Sequence, residues 1–286
     1  LLGLENNPEL LVQRLRPAMS QTSEDQERAQ FDPKLSASFF YDKNVSPGMQ
    51  NKSKSERLSG DLSIDTFLPT GTSIGITQVN NSNVLDSRLM TDNSTRLGLN
   101  VTQSLLQGAG TRVNLASLRQ ARLNTLSSEY ELRAYAESFT AAVEKAYWNY
   151  YVSRLKVQIF IDSLDLAQKQ LMETEERIDI GKLSASELAA AQAELALRRG
   201  ELINARSSEE TYRLRLLRLL NPPGGDFWNL DLQLLDVPTP PPGPLEDVEG
   251  FVDGALEKRP DYRQAELAVQ RGDLELVKTR NGLLPK

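Results

Sequence analysis

Between positions 35 and 102 the chain alternates hydrophobic and polar residues, a period of two that predicts β-strands with one apolar face. The clearest case sets Leu97, Leu99 and Val101 against polar neighbours. The segments with this period are 35–41, 62–66, 72–79 and 97–102, with polar loops predicted at 44–55 and 80–94 and a turn at 69–71. A membrane barrel and the edge of a soluble sandwich share this pattern, so the alternation alone leaves both open.

The pattern changes after Gly108-Ala109-Gly110. Residues 111–179 contain neither proline nor glycine and are rich in strong helix formers. At about 1.5 Å per residue, such a helix would be roughly 100 Å long. Helices in globular proteins average about 11–12 residues, so we expect a coiled coil or a helical tube. The aromatic cluster within it is expected to pack between helices and consists of Tyr147, Trp148, Tyr150 and Tyr151.

A glycine turn is predicted to reverse the chain after this helix. Gly181 supplies the C-cap, Ser184 or Ser186 the next N-cap, and Glu187 a cap carboxylate. The return helix, about 184–220, carries a heptad. Its a and d positions are Leu188, Ala191, Leu195, Leu202, Ala205, Tyr212, Leu216 and Leu219, interrupted by Arg198 and Glu209. The chain therefore predicts an antiparallel hairpin with one arm much longer than the other.

Two similar helix starts indicate an internal repeat with an offset of 252 residues, from Pro8 to Pro260. Pro33 and Pro285 follow at matching distances. The repeat predicts one unit over 1–252 and an incomplete second unit, so we expect a parent protein nearly twice as long; chance likeness is the alternative. The first helix is predicted over about 8–30, with Pro17 expected to kink or interrupt it.

The composition excludes several kinds of functional site. The 286 residues include no cysteine and no histidine, so disulfides, the commonest zinc ligands and the commonest general base are absent. No Gly-rich phosphate loop or nucleophile elbow occurs, so we expect no enzyme and no cofactor. The net charge of −6 offers no basic footprint for nucleic acid. The sequence has no apolar run of about 18 residues, so we expect no transmembrane helix. If the parent protein is exported, we expect that its leader has been removed.

Three motifs stand out by their order and spacing. Residues 255–261 read Ala-Leu-Glu-Lys-Arg-Pro-Asp, residues 103–110 join the last predicted strand to the long helix, and residues 177–188 form the predicted turn of the hairpin. In this order they resemble the repeat-opening motif, the strand-to-helix junction and the hairpin tip of the outer-membrane efflux protein (TolC-like) family. The resemblance spans nearly the whole chain.

The resemblance implies a mainly α fold in which a very long antiparallel helical hairpin forms part of an α-barrel, or coiled-coil tunnel. It also implies amphipathic strands that belong to a trimeric transmembrane β-barrel. The function implied is an exit duct in a Gram-negative type outer membrane, with a periplasmic extension. A periplasmic adaptor (membrane fusion protein) and an inner-membrane pump would feed it in efflux or type I secretion. A non-channel periplasmic adaptor or scaffold is the alternative, because such proteins also have long hairpins.

The family usually contributes two barrel strands per repeat, whereas four strand segments are predicted here. The pair around Pro69 either forms an extracellular hairpin extension or continues a long strand with a bend. The predicted division is 1–30 N-terminal helix, 31–107 strands and extracellular loops, 108–221 long hairpin with its tip near 180–184, 222–246 proline-rich equatorial segment, and 247–286 start of the second repeat.

The tip motif implies two sets of site residues. Adaptor contact is implied for Arg177, Ile180, Gly181, Lys182, Leu183 and Ser184. A polar link that helps close the tunnel is implied for Ser186 and Glu187, with helix capping as the alternative. No metal site is expected.

Overall fold

The computed structural model describes residues 2–47, 52–85, 90–224, 228–230, 232–239, 243 and 247–285. The chain divides into two units. Residues 1–15 with 132–259 form the first, here named the hairpin unit. Residues 16–131 with 260–286 form the second, the sheet unit.

Helices dominate the described residues. They are α1 (Leu2–Asn6), α2 (Pro8–Ala29), α3 (Thr111–Asn114), α4 (Ala116–Asp179), α5 (Ala185–Leu220), α6 (Val248–Lys258) and α7 (Pro260–Gly282). The predicted helix from Thr111 is interrupted once, at Leu115, although the Leu115 N–H still donates to the Thr111 carbonyl at 3.1 Å. The predicted interruption at Pro17 is wrong, because loss of one backbone donor does not end the 22-residue helix α2.

One antiparallel sheet lies in the sheet unit. Its strands are β1 (Lys34–Pro47), β2 (Lys52–Leu68), β3 (Thr72–Leu85) and β4 (Met90–Gln103), in the order β1-β2-β3-β4. The predicted loops at 44–55 and 80–94 are wrong over their described residues, which continue the strands. Backbone pairing with the neighbouring strands continues each strand through these polar residues. Residues 48–51 and 86–89 of the predicted loops lie outside the described residues.

The turn between β2 and β3 lies against the loop that leads from β4 into α3. The N–H of Gly110 donates to the Thr70 carbonyl at 3.0 Å, and Asn114 Nδ2 donates to the Pro69 carbonyl at 3.1 Å. Gly71 has a φ of 90°, and a Cβ there would lie 2.3 Å from the Gly108 carbonyl oxygen. Only glycine fits this approach without backbone movement.

In the hairpin unit, α5 packs its heptad seam inward. Every predicted a and d residue is buried or half-buried, and so are Arg198 and Glu209, which keep the same phase. The most buried seam residues are Leu195, Leu202, Ala205 and Leu216. The facing stripe of α4 runs at the same alternating spacing of four and three residues. It comprises Phe139, Val143, Ala146, Tyr150, Ser153, Val157, Phe160, Leu164, Ala167, Leu171, Thr174 and Ile178.

Asparagines tie the first helices to the end of the return helix. The buried Asn7 donates to the Leu219 carbonyl at 3.3 Å and accepts from the Leu10 N–H at 3.1 Å. Asn221 has a φ of 42° and forms the left-handed C-cap of α5. Its amide donates to the Asn6 carbonyl at 2.8 Å. These bonds satisfy helix-end groups that would otherwise be unpaired.

Among the described residues, no helix is both long enough and apolar enough to cross a membrane.

Candidate functional site: the hairpin tip and the two-faced sheet

The hairpin tip is a glycine turn closed by backbone hydrogen bonds. Gly181 has a φ of 71°, and its N–H donates to the Ile178 carbonyl at 2.8 Å. The Lys182 N–H donates to the Arg177 carbonyl at 2.8 Å. This pair of bonds is a Schellman motif, which ends a helix and satisfies its last carbonyls. The turn is therefore fixed by the backbone, and the side chains around it stay available for other contacts.

The α5 start at the tip is capped by Ser184. Its side chain accepts from the Ser186 N–H at 3.4 Å, and the Ser186 hydroxyl pairs with Ser184 Oγ at 3.0 Å. Glu187 lies in the first turn, where a carboxylate favours the positive end of the helix dipole. Capping is thus one role that the geometry gives to Ser184 and Ser186.

The tip side chains for which partner contact is predicted are mostly exposed to solvent. Ile180 is 64% exposed, and Leu183, Lys182 and Gly181 are also exposed. Arg177 is exposed and forms an ion pair with Glu173, one turn earlier on α4. The tip therefore presents an apolar side chain between two basic groups.

The sheet has one apolar and one polar face. Register places Leu35, Ile64, Ile76 and Leu99 in one row across all four strands. The apolar residues of this face include Leu35, Ala37, Phe39, Tyr41, Leu58, Leu62, Ile64, Ile74, Ile76, Leu97, Leu99 and Val101. Gln78 shares the face with them, and so does the Lys43–Glu56 ion pair beyond Tyr41 and Leu58. Apart from the half-buried Ile74, the large apolar side chains of the face stay exposed, with Leu97 at 75%. An uncovered apolar face of this extent marks an interaction surface or a lipid contact.

The opposite face is polar and carries charges of both signs. Its charged residues are Lys34, Asp42, Arg57, Asp61, Asp65, Asp92 and Arg96, and its apolar exceptions include Phe40, Phe67 and Val79. Lys34 faces Asp65 in the register and Asp42 faces Arg57, while Asp61 and Arg96 flank Val79. Ser38 donates to Asp61 Oδ2 at 3.1 Å, and Arg57 Nε donates to Asn83 Oδ1 at 3.0 Å.

A second apolar stripe on α4 faces away from the seam with α5. It contains Val152, Leu155, Ile159 and Leu166, all exposed. Because these positions lie two residues after seam positions, they occupy the opposite side of the helix. The hairpin thus has apolar surface that the described part of this chain does not cover.

Side chains from both hairpin helices hold the irregular residues 228–230 and 232–239. Arg213 donates to the carbonyls of Trp228 and Leu230 at 2.8 and 2.7 Å. Arg213 also donates to both carboxylate oxygens of Glu210, and these bonds lower the Glu210 pKa below its usual value. The buried core beneath is formed by Ala146, Tyr150 and Leu216, against which Leu232 and Leu234 pack.

Two members of the aromatic cluster pack between helices as predicted: Tyr150 is buried with Leu216 of α5, and Tyr147 packs against them. The rings of Tyr147 and Trp148 meet edge to face at 5.0 Å between centroids. Among the described residues, no group of three or more histidine, cysteine, aspartate or glutamate side chains is arranged to hold a metal ion.

The tip turn and its cap were found from the sequence, but three features were missed. The α4 seam has a heptad as clear as that of α5, so its signal was present. The polar-face charges follow from the same alternation that located the strands, once the strand pairing is known. The bonds of Arg213 to Trp228 and Leu230 had no sequence signal, because their acceptors are backbone carbonyls of an irregular stretch.

Known structures share this fold. The Campylobacter jejuni CmeC outer membrane channel is 15% identical with a TM-score of 0.66, over 98% of this chain and 51% of that one. The outer-membrane channel OprN is 19% identical with a TM-score of 0.70, over 97% and 53%. The open state of the Neisseria gonorrhoeae MtrE outer membrane channel is 20% identical with a TM-score of 0.58, over 98% and 53%.

This chain spans about half the length of those channels. No curated protein matches it in sequence. The model of the outer membrane efflux protein family matches residues 2–222, most of the chain. This protein therefore belongs to the outer membrane efflux protein family and localises to the outer membrane.

Proposed function

We propose that the protein is the outer-membrane exit duct of a tripartite efflux or type I secretion system. The observation that carries this proposal is the two-faced sheet, with a broad exposed apolar face and a charged polar face. A membrane-spanning wall needs lipid on one side and water on the other, and this sheet is built for both. Its edges, β1 and β4, have no further partner among the described residues, as expected of strands that pair with other segments to close a barrel.

The hairpin would form part of a periplasmic tunnel in a homotrimer. The exposed stripe of Val152, Leu155, Ile159 and Leu166 supports this, because a helix with apolar residues on opposite sides needs a neighbour on each side. Helices of other copies, or of the rest of the parent protein, would cover it. Residues 31–107 then serve as barrel strands and extracellular loops, 108–221 as the tunnel hairpin and 222–246 as the equatorial segment. Residues 1–30 and 247–286 open the two repeats.

The tip would receive the periplasmic adaptor, which links the duct to the inner-membrane pump. Contact is assigned to Arg177, Ile180, Gly181, Lys182, Leu183 and Ser184. Exposure of Ile180 and the rigid turn support this assignment, since a fixed backbone presents side chains at low entropic cost. Ser186 and Glu187 would add a polar link near the closed entrance, alongside their capping role.

The tip assignment is tested by crosslinking. The chain has no cysteine, so Lys182→Cys introduces a single thiol in it. With the cognate adaptor, Lys182→Cys should crosslink strongly, while the control Lys169→Cys, on the exposed face of α4 and three turns earlier, should not. Equal crosslinking at both positions would contradict a contact confined to the tip.

Single-channel conductance of the full-length parent in a planar bilayer tests the duct. Discrete, long-lived pores from trimers are the expected result. A non-channel coiled-coil scaffold would give none. If parent trimers do not conduct, Glu187→Lys should open them by breaking the tip link. If Glu187→Lys trimers are also silent, the duct proposal is wrong. No catalytic activity is proposed.

A further inference from the structure

The middle strands of the sheet carry the same two faces as the outer strands. On β2, Leu62 and Ile64 lie on the apolar face, and Asp61, Ser63 and Asp65 lie on the polar face. On β3, Ile74 and Ile76 share the apolar face with them, and Thr77 lies on the polar face. A hairpin extending into water on both sides would not need a continuous apolar face. The alternation therefore assigns β2 and β3 the same environment as β1 and β4.

The β2–β3 turn lies at the helix end of the sheet. Thr70 accepts from the Gly110 N–H at 3.0 Å, and Gly71 accepts from the Ser104 N–H at 3.0 Å. Since Ser104 and Gly110 lead from β4 into the helices, the turn sits where β4 ends. Both middle strands consequently run the length of the sheet, and neither an extracellular extension nor a single bent strand fits this position.

We infer that all four strands are wall strands of the duct, so that each copy of this chain contributes twice the two strands that the family resemblance implied. This inference rests on the proposed function. A strand adds about 6 Å to a barrel's circumference, from a spacing of about 4.8 Å and a tilt of about 40°. In a trimer, β2 and β3 add six strands and widen the barrel by about 12 Å in diameter, whatever other segments contribute. The barrel lumen is accordingly wider than it would be if each copy contributed only β1 and β4 from this chain.

Cysteine scanning of the reconstituted full-length protein tests the wall assignment. The chain is free of cysteine, so single variants Ser63→Cys, Thr77→Cys, Leu62→Cys and Ile76→Cys report on the middle strands. A membrane-impermeant maleimide should label the first two and spare the last two. Ser36→Cys and Leu35→Cys on β1 give the reference pattern for the two faces. Equal labelling of both faces on β2 and β3 would overturn the inference, whether or not the protein conducts.

Deleting residues 52–85 tests the width. The deletion removes β2, the turn and β3 together and joins the far ends of β1 and β4 into one hairpin. End-on electron microscopy of trimers should show a barrel about 12 Å narrower than that of the parent. An unchanged barrel diameter would overturn the inference without contradicting the proposed function of the protein as a duct. Absence of pores from the undeleted parent would instead count against the proposed function, and the labelling pattern would still decide where the strands lie.

Discussion

The Tyr147 hydroxyl and the backbone of Asp236 form a reciprocal pair of hydrogen bonds. The hydroxyl donates to the Asp236 carbonyl at 3.2 Å and lies 3.0 Å from the Asp236 N–H, which donates to it. One side chain of α4 thereby pairs both backbone polar groups of Asp236. This contact, with those of Arg213, positions residues 228–230 and 232–239, which have no regular secondary structure to order them.

Replacing Tyr147 with phenylalanine should loosen these irregular residues without disturbing the hairpin. The ring stays, but both hydrogen bonds go, at a cost of about 1 kcal/mol. Hydrogen exchange at the Asp236 amide should quicken about fivefold. Tyr151→Phe is the matched control, because the Tyr151 ring packs on Trp148 and its hydroxyl has no hydrogen-bond partner in the described part of the chain. Equal effects of the two variants would contradict a specific role for Tyr147.

Acidification should weaken the hairpin unit through Glu210. Hydrogen bonds from Arg213 lower the Glu210 pKa below the usual 4.5. A lowered pKa in the folded state means that the contribution to stability is present above about 4.5 and is lost as the pH falls through the folded pKa. The melting temperature of Glu210→Gln should therefore fall less between pH 6 and pH 3 than that of the parent.

The control for this pH effect is Glu129→Gln, an exposed carboxylate without an ion pair among the described residues. It should keep the parent's pH dependence. If Glu210→Gln and Glu129→Gln have the same acid sensitivity, the Glu210–Arg213 pair does not couple stability to pH.

The hairpin was predictable because its signals are local. A heptad needs only apolar residues at regular spacing, and the glycine turn and Ser184 cap need only neighbours in sequence. The C-cap at Asn221 was not foreseen, because Pro222-Pro223-Gly224-Gly225 gave a stronger stop signal. Asparagine adopts the left-handed conformation, and here its amide also bonds the Asn6 carbonyl.

Strand length was not predictable from single-strand patterns. Asn80, Asn81, Ser82 and Asn83 have the composition of a loop, yet they pair residue by residue with β2 and β4. Pairing partners supply the hydrogen bonds that composition cannot reveal. The adaptor contact at Lys182 and the closing link at Glu187 stay predictions, since both depend on chains outside this one.

Gly71→Ala should destabilise the sheet unit far more than Gly110→Ala. Both glycines have a φ of 90°, where alanine is strained by about 1–3 kcal/mol, and the ψ of 154° at Gly110 lies outside the left-handed helical region. They differ in space: a Cβ at Gly110 meets nothing within 4 Å, whereas one at Gly71 would lie 2.3 Å from a backbone carbonyl oxygen. Unfolding midpoints in detergent should fall modestly for Gly110→Ala and steeply for Gly71→Ala. Similar midpoints would show that the turn is not locked against the strand-to-helix loop.

Asp61 and Arg96 should offset each other's charge along the duct wall. They flank Val79 on the polar face, one strand away on each side. A thiol introduced by Val79→Cys therefore reports the local potential through its relative rates with cationic and anionic thiol reagents. At this spacing in a wet lumen, one unit charge should change the ratio of rates about fivefold.

In the Val79→Cys background, Asp61→Asn should lower the cationic-to-anionic ratio, because it leaves the guanidinium of Arg96 uncompensated. Arg96→Gln should raise the ratio by a similar factor, and the double variant should return it close to the starting value. Gln78→Cys, on the opposite face, is the control and should react slowly with both reagents. Because the measurement is local, it does not depend on whether the tunnel entrance is open. A ratio insensitive to both substitutions would mean that the polar face does not line an aqueous conduit.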